Sequence, residues 1–295
     1  VGYSQCDERA EVTSESYLSA FTFGDVFANY LNSTGTTKCY TGETGAAWLW
    51  FDIDREDNID TATTDARRLA SLLSDRFGID GDTLLCFFSG AKGFHIGLPL
   101  SACGSPGPSA MFHRVCRQFA ESVAAAAGVA IDTGVYDRVR LFRAPNSRHP
   151  KTGLFKRQLS FDSLLGLRSS RIVELAGEPE AFDIPDPPEP SRVAVADWTA
   201  AVRAVAEQTA GVTSRRELGA RSALNRATVE FIRDGATSGD RHRLLFSAAA
   251  NLAEFGCSLE LATALLSESA LDSGLSPSDV QRQIQCGIEY RGASQ

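Results

Sequence analysis

The sequence predicts an α+β fold followed by a small all-α helical bundle, and three observations carry that prediction. Apolar runs of strand length, at residues 46–53, 83–88 and 94–98, are separated by a long segment of helical periodicity and by Gly-rich turns. A stretch from Gly177 to Ser191 carries Pro179, Pro185, Pro187, Pro188 and Pro190 among acids, which excludes regular structure there. Everything beyond that stretch reads as helix. The 295 residues therefore divide into a first domain at 1–176, a Pro-rich linker at 177–197 and a helical bundle at 198–295. The first domain lacks the regular strand–helix–strand repeat of a doubly wound sheet and contains hairpin-like returns.

The elements follow in order. Residues 1 to about 45 read as a short helix with flanking loops around Tyr17, Phe21, Phe23, Phe27 and Tyr30. Residues 46–53 (AAWLWFDI) are apolar enough for a buried, central strand that ends in acid. Residues 61–77 form a helix with Ala66, Leu69, Leu72, Leu73 and Phe77 on one side. Residues 83–88 and 94–98 are two strands around the tight loop Ser89-Gly90-Ala91-Lys92-Gly93, and Pro99 ends the second. After a Gly/Pro/Ser loop, residues 111–127 form a helix with Phe112, Val115, Phe119 and Val123 on its apolar face. Short strands are expected at 129–131, leading into Asp132, then at 138–143 and 154–159. The bundle reads as about five helices, at 198–208, 213–235 (one or two), 239–255, 259–268 and 277–290.

Composition narrows the function classes. No run of apolar residues is long enough to cross a bilayer. Seven scattered cysteines without a CxxC pair read as reduced thiols in a cytoplasm. Cys103, His113 and Cys116 lie near one another in sequence, but their irregular spacing reads as core packing, not as a zinc site. The net charge of −8 argues against a generic nucleic-acid binder. The charge is uneven, however. Between residues 138 and 157 stand Arg138, Arg140, Arg143, Arg148, Lys151, Lys156 and Arg157, with His149 and no acid.

Three constellations carry chemistry. Asp52 and Asp54 are two apart on a strand, so their carboxylates share a face and repel each other unless a hard cation neutralises them. The loop SGAKGFH offers a hydroxyl (Ser89), an ammonium (Lys92), an imidazole (His95) and glycines that admit close backbone approach, all suited to phosphate. Asp132 supplies a third carboxylate. The basic strand and loop after it place Arg140, Arg143, His149 and Lys151 in one neighbourhood, with forked Arg contacts suited to triphosphate or nucleic-acid backbone. Three carboxylates, a phosphate loop and a basic face are the parts for phosphoryl transfer with two metal ions.

These residues resemble the archaeo-eukaryotic primase superfamily, and within it the primase-polymerases of phages and plasmids. The resemblance rests on Phe51-Asp52-Ile53-Asp54 as the DxD motif, on Ser89 to His95 as the serine–glycine–histidine motif and on Ile131-Asp132 as the third acid. Gly134-Val135-Tyr136 and Arg140-Leu141-Phe142-Arg143 extend it, and it covers residues 15–175. It implies an RRM-like catalytic sheet in which Asp52, Asp54 and Asp132 hold Mg²⁺ or Mn²⁺. It also implies that Ser89, Lys92 and His95 contact nucleotide phosphates, that Arg140 and Arg143 hold nucleotide or template, and that His149 and Lys151 reach the triphosphate. The implied activity is a DNA-dependent primase-polymerase of phage or plasmid replication, in a bacterial cytoplasm. It would use NTP or dNTP on a single-stranded DNA template and release pyrophosphate. The competing readings are a primer-dependent repair-type polymerase and a non-catalytic nucleic-acid-binding module. The non-Met start and the lack of a Walker loop lead to the expectation of a longer replication protein with a helicase part.

Overall fold

The structure, a computed structural model, describes residues 16–292 apart from 57, 182, 218–223 and 238, with the side chains of 211–217 and 291–292 also outside the description. The chain is mixed α/β, with a sheet region in its N-terminal part and a helical bundle at its C-terminal end. It divides into two compact units, residues 1–208 and residues 209–295. Among the described residues no helix is long and apolar enough to cross a membrane.

The first unit is built on a four-stranded antiparallel sheet. Its strands are β2 (Trp48–Asp54), β3 (Leu85–Phe88), β4 (Gly93–Pro99) and β6 (Arg157–Leu159), ordered β2-β4-β3-β6. A separate ribbon pairs β1 (Tyr17–Ser19) with β5 (Leu141–Arg143). The helices are α1 (Asp25–Thr34), α2 (Ile59–Phe77), α3 (Phe112–Ala127), α4 (Phe161–Gly166), α5 (Ser169–Leu175) and the start of α6 (Arg192–Glu217).

Alternation decides which face of β2 is core. Phe51 and Ile53 are fully buried with Leu69 and Leu73 of α2 and Phe119 of α3 in one apolar cluster. Asp52 and Asp54 point to the other face, which carries the site. Asn58 starts α2 by accepting the Thr61 amide, and Gly78 ends it in the left-handed region.

Several expectations are corrected. The strand carrying Asp52 is not central: β4 and β3 are the inner strands, because β2 pairs through β4 alone. No strand forms at 129–131. That segment approaches the outer edge of β2 through one backbone bond, Asp132 N–H to the Asp52 carbonyl at 2.8 Å, and two bonds from side chains. Arg55 reaches the Ala130 carbonyl at 2.8 Å, and the Tyr136 hydroxyl donates to the Trp50 carbonyl at 2.6 Å. Residues 138–140 form a turn, and only 141–143 are strand. The Arg138 guanidinium donates to the carbonyls of Tyr40 and Ala110, which pins the turn and turns this side chain away from Arg140. The strand expected at 154–159 is ladder only at 157–159, with one bridge from Phe155 to Arg148 before it. Strand β1 and helices α4 and α5 stand where the sequence predicts no such elements.

The long helix begins at Arg192, inside the stretch read as linker, because Ser191 caps it: its carbonyl accepts the Val195 amide at 2.9 Å. Trp198 sits 5.6 Å from the Phe112 ring and 5.7 Å from the Phe119 ring, so this part of α6 belongs to the first core. The second unit, by itself, is a bundle of α7 (Arg226–Asp234), α8 (Arg241–Glu254), α9 (Leu259–Asp272) and α10 (Pro277–Gly292). They close around Phe231, Leu245, Leu252, Leu266 and Ile284. Part of the segment expected as helix at 213–235 lies outside the described residues.

Candidate functional site

Register sets the site. Across the sheet, Asp52 faces His95, and His95 faces Phe87; one step along, Asp54 faces Gly93. The His95 Nε2 lies 3.5 Å from Asp52 Oδ1. Gly93 is a requirement of the Asp54 position: a Cβ there would stand 2.2 Å from Asp54 Oδ1. The loop before it is closed by Ser89, whose hydroxyl accepts the Gly93 amide at 3.2 Å and the Ala91 amide at 3.4 Å. Gly90 holds φ +83° and passes within 3.0 Å of the Leu154 carbonyl, measured from the position of a Cβ. Lys92 leans across Asp54 and Glu56, 3.7 Å from each carboxylate.

The ribbon forms the opposite wall. The Phe142 ring lies tilted against His95, 4.1 Å between centres, and against Trp50 at 5.3 Å. Its neighbours Arg140, Leu141 and Arg143 face a cleft of about 190 Å³ that also meets Asp52, Asp54, Ser89, Lys92, His95 and His149. The volume is below the roughly 300 Å³ of a cleft that encloses a small ligand. His149 Nδ1 accepts the amides of Lys151 and Thr152 at 3.2 and 3.3 Å, which places the proton of the neutral ring on Nε2. Eight of the ten residues singled out by sequence thus meet at one cleft. Lys151 stands apart, exposed on the loop, and contributes its backbone amide to His149. Asp132 is exposed beside the cleft, tied to Asp52 through the backbone, with its Oδ1 capping the Gly134 amide at 2.8 Å.

Electrostatics marks Asp52 as the strained member. Burial first, then the Asp54 and Asp132 charges, push its carboxyl up from 3.8 to about 7, against the opposing pull of Lys156 and Arg140. Its Oδ1 is buried without a hydrogen-bond partner. His95 is held well below the ordinary imidazole range by burial, then by the Lys156 and Arg143 charges, so its ring is neutral at pH 7. Among the described residues no three His, Cys, Asp or Glu side chains are gathered closely enough to hold a metal ion. The donor chemistry is of the kind a hard divalent cation takes: Asp52 has a carboxylate oxygen that is buried without a hydrogen bond and feels the charges of Asp54 and Asp132. Cys103 and Cys116 are core thiols, with burial pushing Cys103 up to about 12 and Cys116 well above its usual range.

No family model matches the chain, and no curated protein matches it. Among solved structures, the crystal structure of primase RepB' aligns with 85% of this chain and 75% of that one, at 14% identity and a TM-score of 0.33. A likeness that distant assigns neither fold nor activity.

Sequence reasoning misses three contributors. Tyr17, 47% exposed, enters the cleft because β1 pairs Tyr17 with Arg143, whose guanidinium lies 5.7 Å from the ring centre. Leu141, 62% exposed, stands at the mouth beside it. Lys156, one of the basic residues counted between 138 and 157, is fully buried. Nothing in the local pattern of the N-terminal segment signals a three-residue strand, and burial of one lysine has no signature in sequence.

Proposed function

We propose that the chain is a nucleotidyltransferase of the archaeo-eukaryotic primase superfamily, a DNA-dependent primase-polymerase that adds nucleotides on a single-stranded DNA template. The observation that carries this reading is the Asp52 carboxylate, with one oxygen buried and lacking a hydrogen bond, in a cleft that a basic ribbon also lines. Asp52, Asp54 and Asp132 would hold Mg²⁺ or Mn²⁺, which would lower the pKa of a 3′-hydroxyl and neutralise triphosphate charge. The chain's own residues do the rest. Ser89, Lys92 and the His149 Nε2–H grip phosphate oxygens, with Lys151 at the outer end. Arg140 and Arg143 oppose the charge that develops on the leaving pyrophosphate. Neutral His95 stands 3.5 Å from Asp52 Oδ1 and adds no positive charge that would compete with a cation for that carboxylate. Tyr17 and Leu141 flank the base or sugar at the mouth.

The order β2–α2–β3–β4–α3, followed by the 129–132 segment beside β2, supports an RRM-like core, with that segment in the place of a last strand. The second unit would assist template or initiation, and a helicase would act with the protein in phage or plasmid replication in a bacterial cytoplasm.

The test is incorporation of labelled NTP or dNTP on single-stranded DNA, with and without primer. Template-dependent incorporation that falls more than about 100-fold in Asp52→Asn and Asp132→Ala is expected, since even outer partners of metal ligands are worth about 10- to 100-fold. No incorporation with either ion, or full activity in both variants, overturns the reading. Synthesis that needs a primer throughout makes the chain an extending polymerase.

A further inference from the structure

Lys156 is fully buried, yet it is a charge that costs free energy to remove from water. Its Nζ donates to the Arg143 carbonyl at 2.8 Å. It packs 4.0 Å from the centre of the Phe142 ring, 5.0 Å from Phe87 and 5.3 Å from Trp50, all distances at which a ring face attracts a cation. The backbone around it is fixed as well: Lys156 N–H donates to the Ser147 carbonyl at 3.0 Å and the Lys156 carbonyl accepts the Asn146 amide at 2.8 Å. The ammonium therefore joins the catalytic sheet (Trp50, Phe87) to the ribbon (Phe142, Arg143). A methionine of similar volume would satisfy the packing between the rings, so packing alone does not account for a charge at this position.

We propose that Lys156 is a positioning residue of the cleft: its buried ammonium fixes the ribbon that presents Arg140 and Arg143, and adds a positive charge behind the place where a triphosphate binds. The proposal rests on the nucleotidyl-transfer reading. It makes a prediction of opposite sign for the two ligands. Removing a fixed positive charge weakens an anion and strengthens a cation, whereas a loosened structure weakens both.

The test uses the full chain at pH 8, with Mn²⁺ alone followed by electron paramagnetic resonance and a fluorescent nucleoside triphosphate followed by anisotropy. Lys156→Gln keeps a donor for the Arg143 carbonyl and removes the charge. Triphosphate affinity is expected to fall about five- to tenfold in this variant while Mn²⁺ affinity rises, the size expected for one charge at about 10 Å in a half-screened site. Lys156→Arg, which keeps the charge, is expected to hold triphosphate affinity within about twofold of wild type. Unchanged affinities in Lys156→Gln, or a parallel loss of both ligands, overturn the proposal. If Lys156→Gln melts far below wild type, the arginine variant decides: retained triphosphate binding supports the role of charge, and loss overturns it. A wild-type chain that binds neither Mn²⁺ nor triphosphate overturns the nucleotidyl-transfer reading itself, an outcome distinct from wild-type binding that Lys156→Gln leaves untouched.

Discussion

The cost of ionising Asp52 is set by burial first, then by the charges of Asp54 and Asp132. Its folded value of about 7 lies above its ordinary 3.8, so the folded chain binds a proton more tightly than the unfolded chain. Stability from this group is fully present below pH 4 and is lost as pH rises to about 7, by an amount of order 4 kcal/mol. With chelator present, Asp52→Asn is expected to raise stability at pH 8 and to change it little at pH 4. Urea melts of both proteins at the two pH values check this, and an equal effect at both would contradict it. Adding Mn²⁺ at pH 8 is expected to raise the wild-type melting temperature and leave Asp52→Asn unmoved. At this scale the acids are legible in sequence, since period-2 geometry alone puts Asp52 and Asp54 on one face. Lys156 and Tyr17 are not, because exposure depends on partners far along the chain: Phe87 for the lysine and Arg143 for the tyrosine.

Among the elements, the β3–β4 hairpin is the one on which the site depends most. Gly93 faces Asp54 in the ladder, and a Cβ would meet both Asp54 Oδ1 and the Ile53 carbonyl at 2.2 Å. Gly93→Ala is expected to destabilise the fold by about 2–3 kcal/mol and to displace Asp54. Gly107→Ala, where a Cβ meets nothing within 4 Å, is expected to change stability by less than about 0.5 kcal/mol. Parallel denaturant melts separate the two. The hairpin, β2, α2 and α3 are legible because their apolar patterns run long enough to show a period. The ribbon is not, since each of its strands has three residues. The 129–131 run has the composition of a strand, yet its neighbour at the β2 edge is met by one backbone bond, and side chains from Arg55 and Tyr136 supply the other links.

For the whole molecule, the boundary of the first unit has a measurable meaning. Trp198 lies in the first core, so a chain cut after residue 197 loses a buried aromatic worth about 3–5 kcal/mol, while one cut after Gln208 keeps it. The 1–208 fragment is expected to melt cooperatively and the 1–197 fragment at much lower temperature or not at all, by circular dichroism. Prolines report where helix is impossible and not where a core ends. A net charge of −8 would confine any contact with DNA to a locally basic face. If, with no nucleotide bound, Lys92, Arg140, Arg143 and Lys151 each neutralise one phosphate of a strand that enters the empty cleft, log affinity for single-stranded DNA is expected to fall against log salt with a slope of about −3. A slope near zero would exclude the cleft as the strand's contact.

The Asp132 amide has a further consequence. It lies in no strand, on an exposed residue, yet it donates to the Asp52 carbonyl at 2.8 Å from the edge of a sheet whose core is fully buried. In deuterium its exchange is therefore governed by opening of the sheet, not of the surface loop that carries it. Its protection should match the amides of β2 and far exceed those of the turn at 138–140. Asp52 and Asp132 would then share one opening event, and a single slow amide would report whether their spacing is intact.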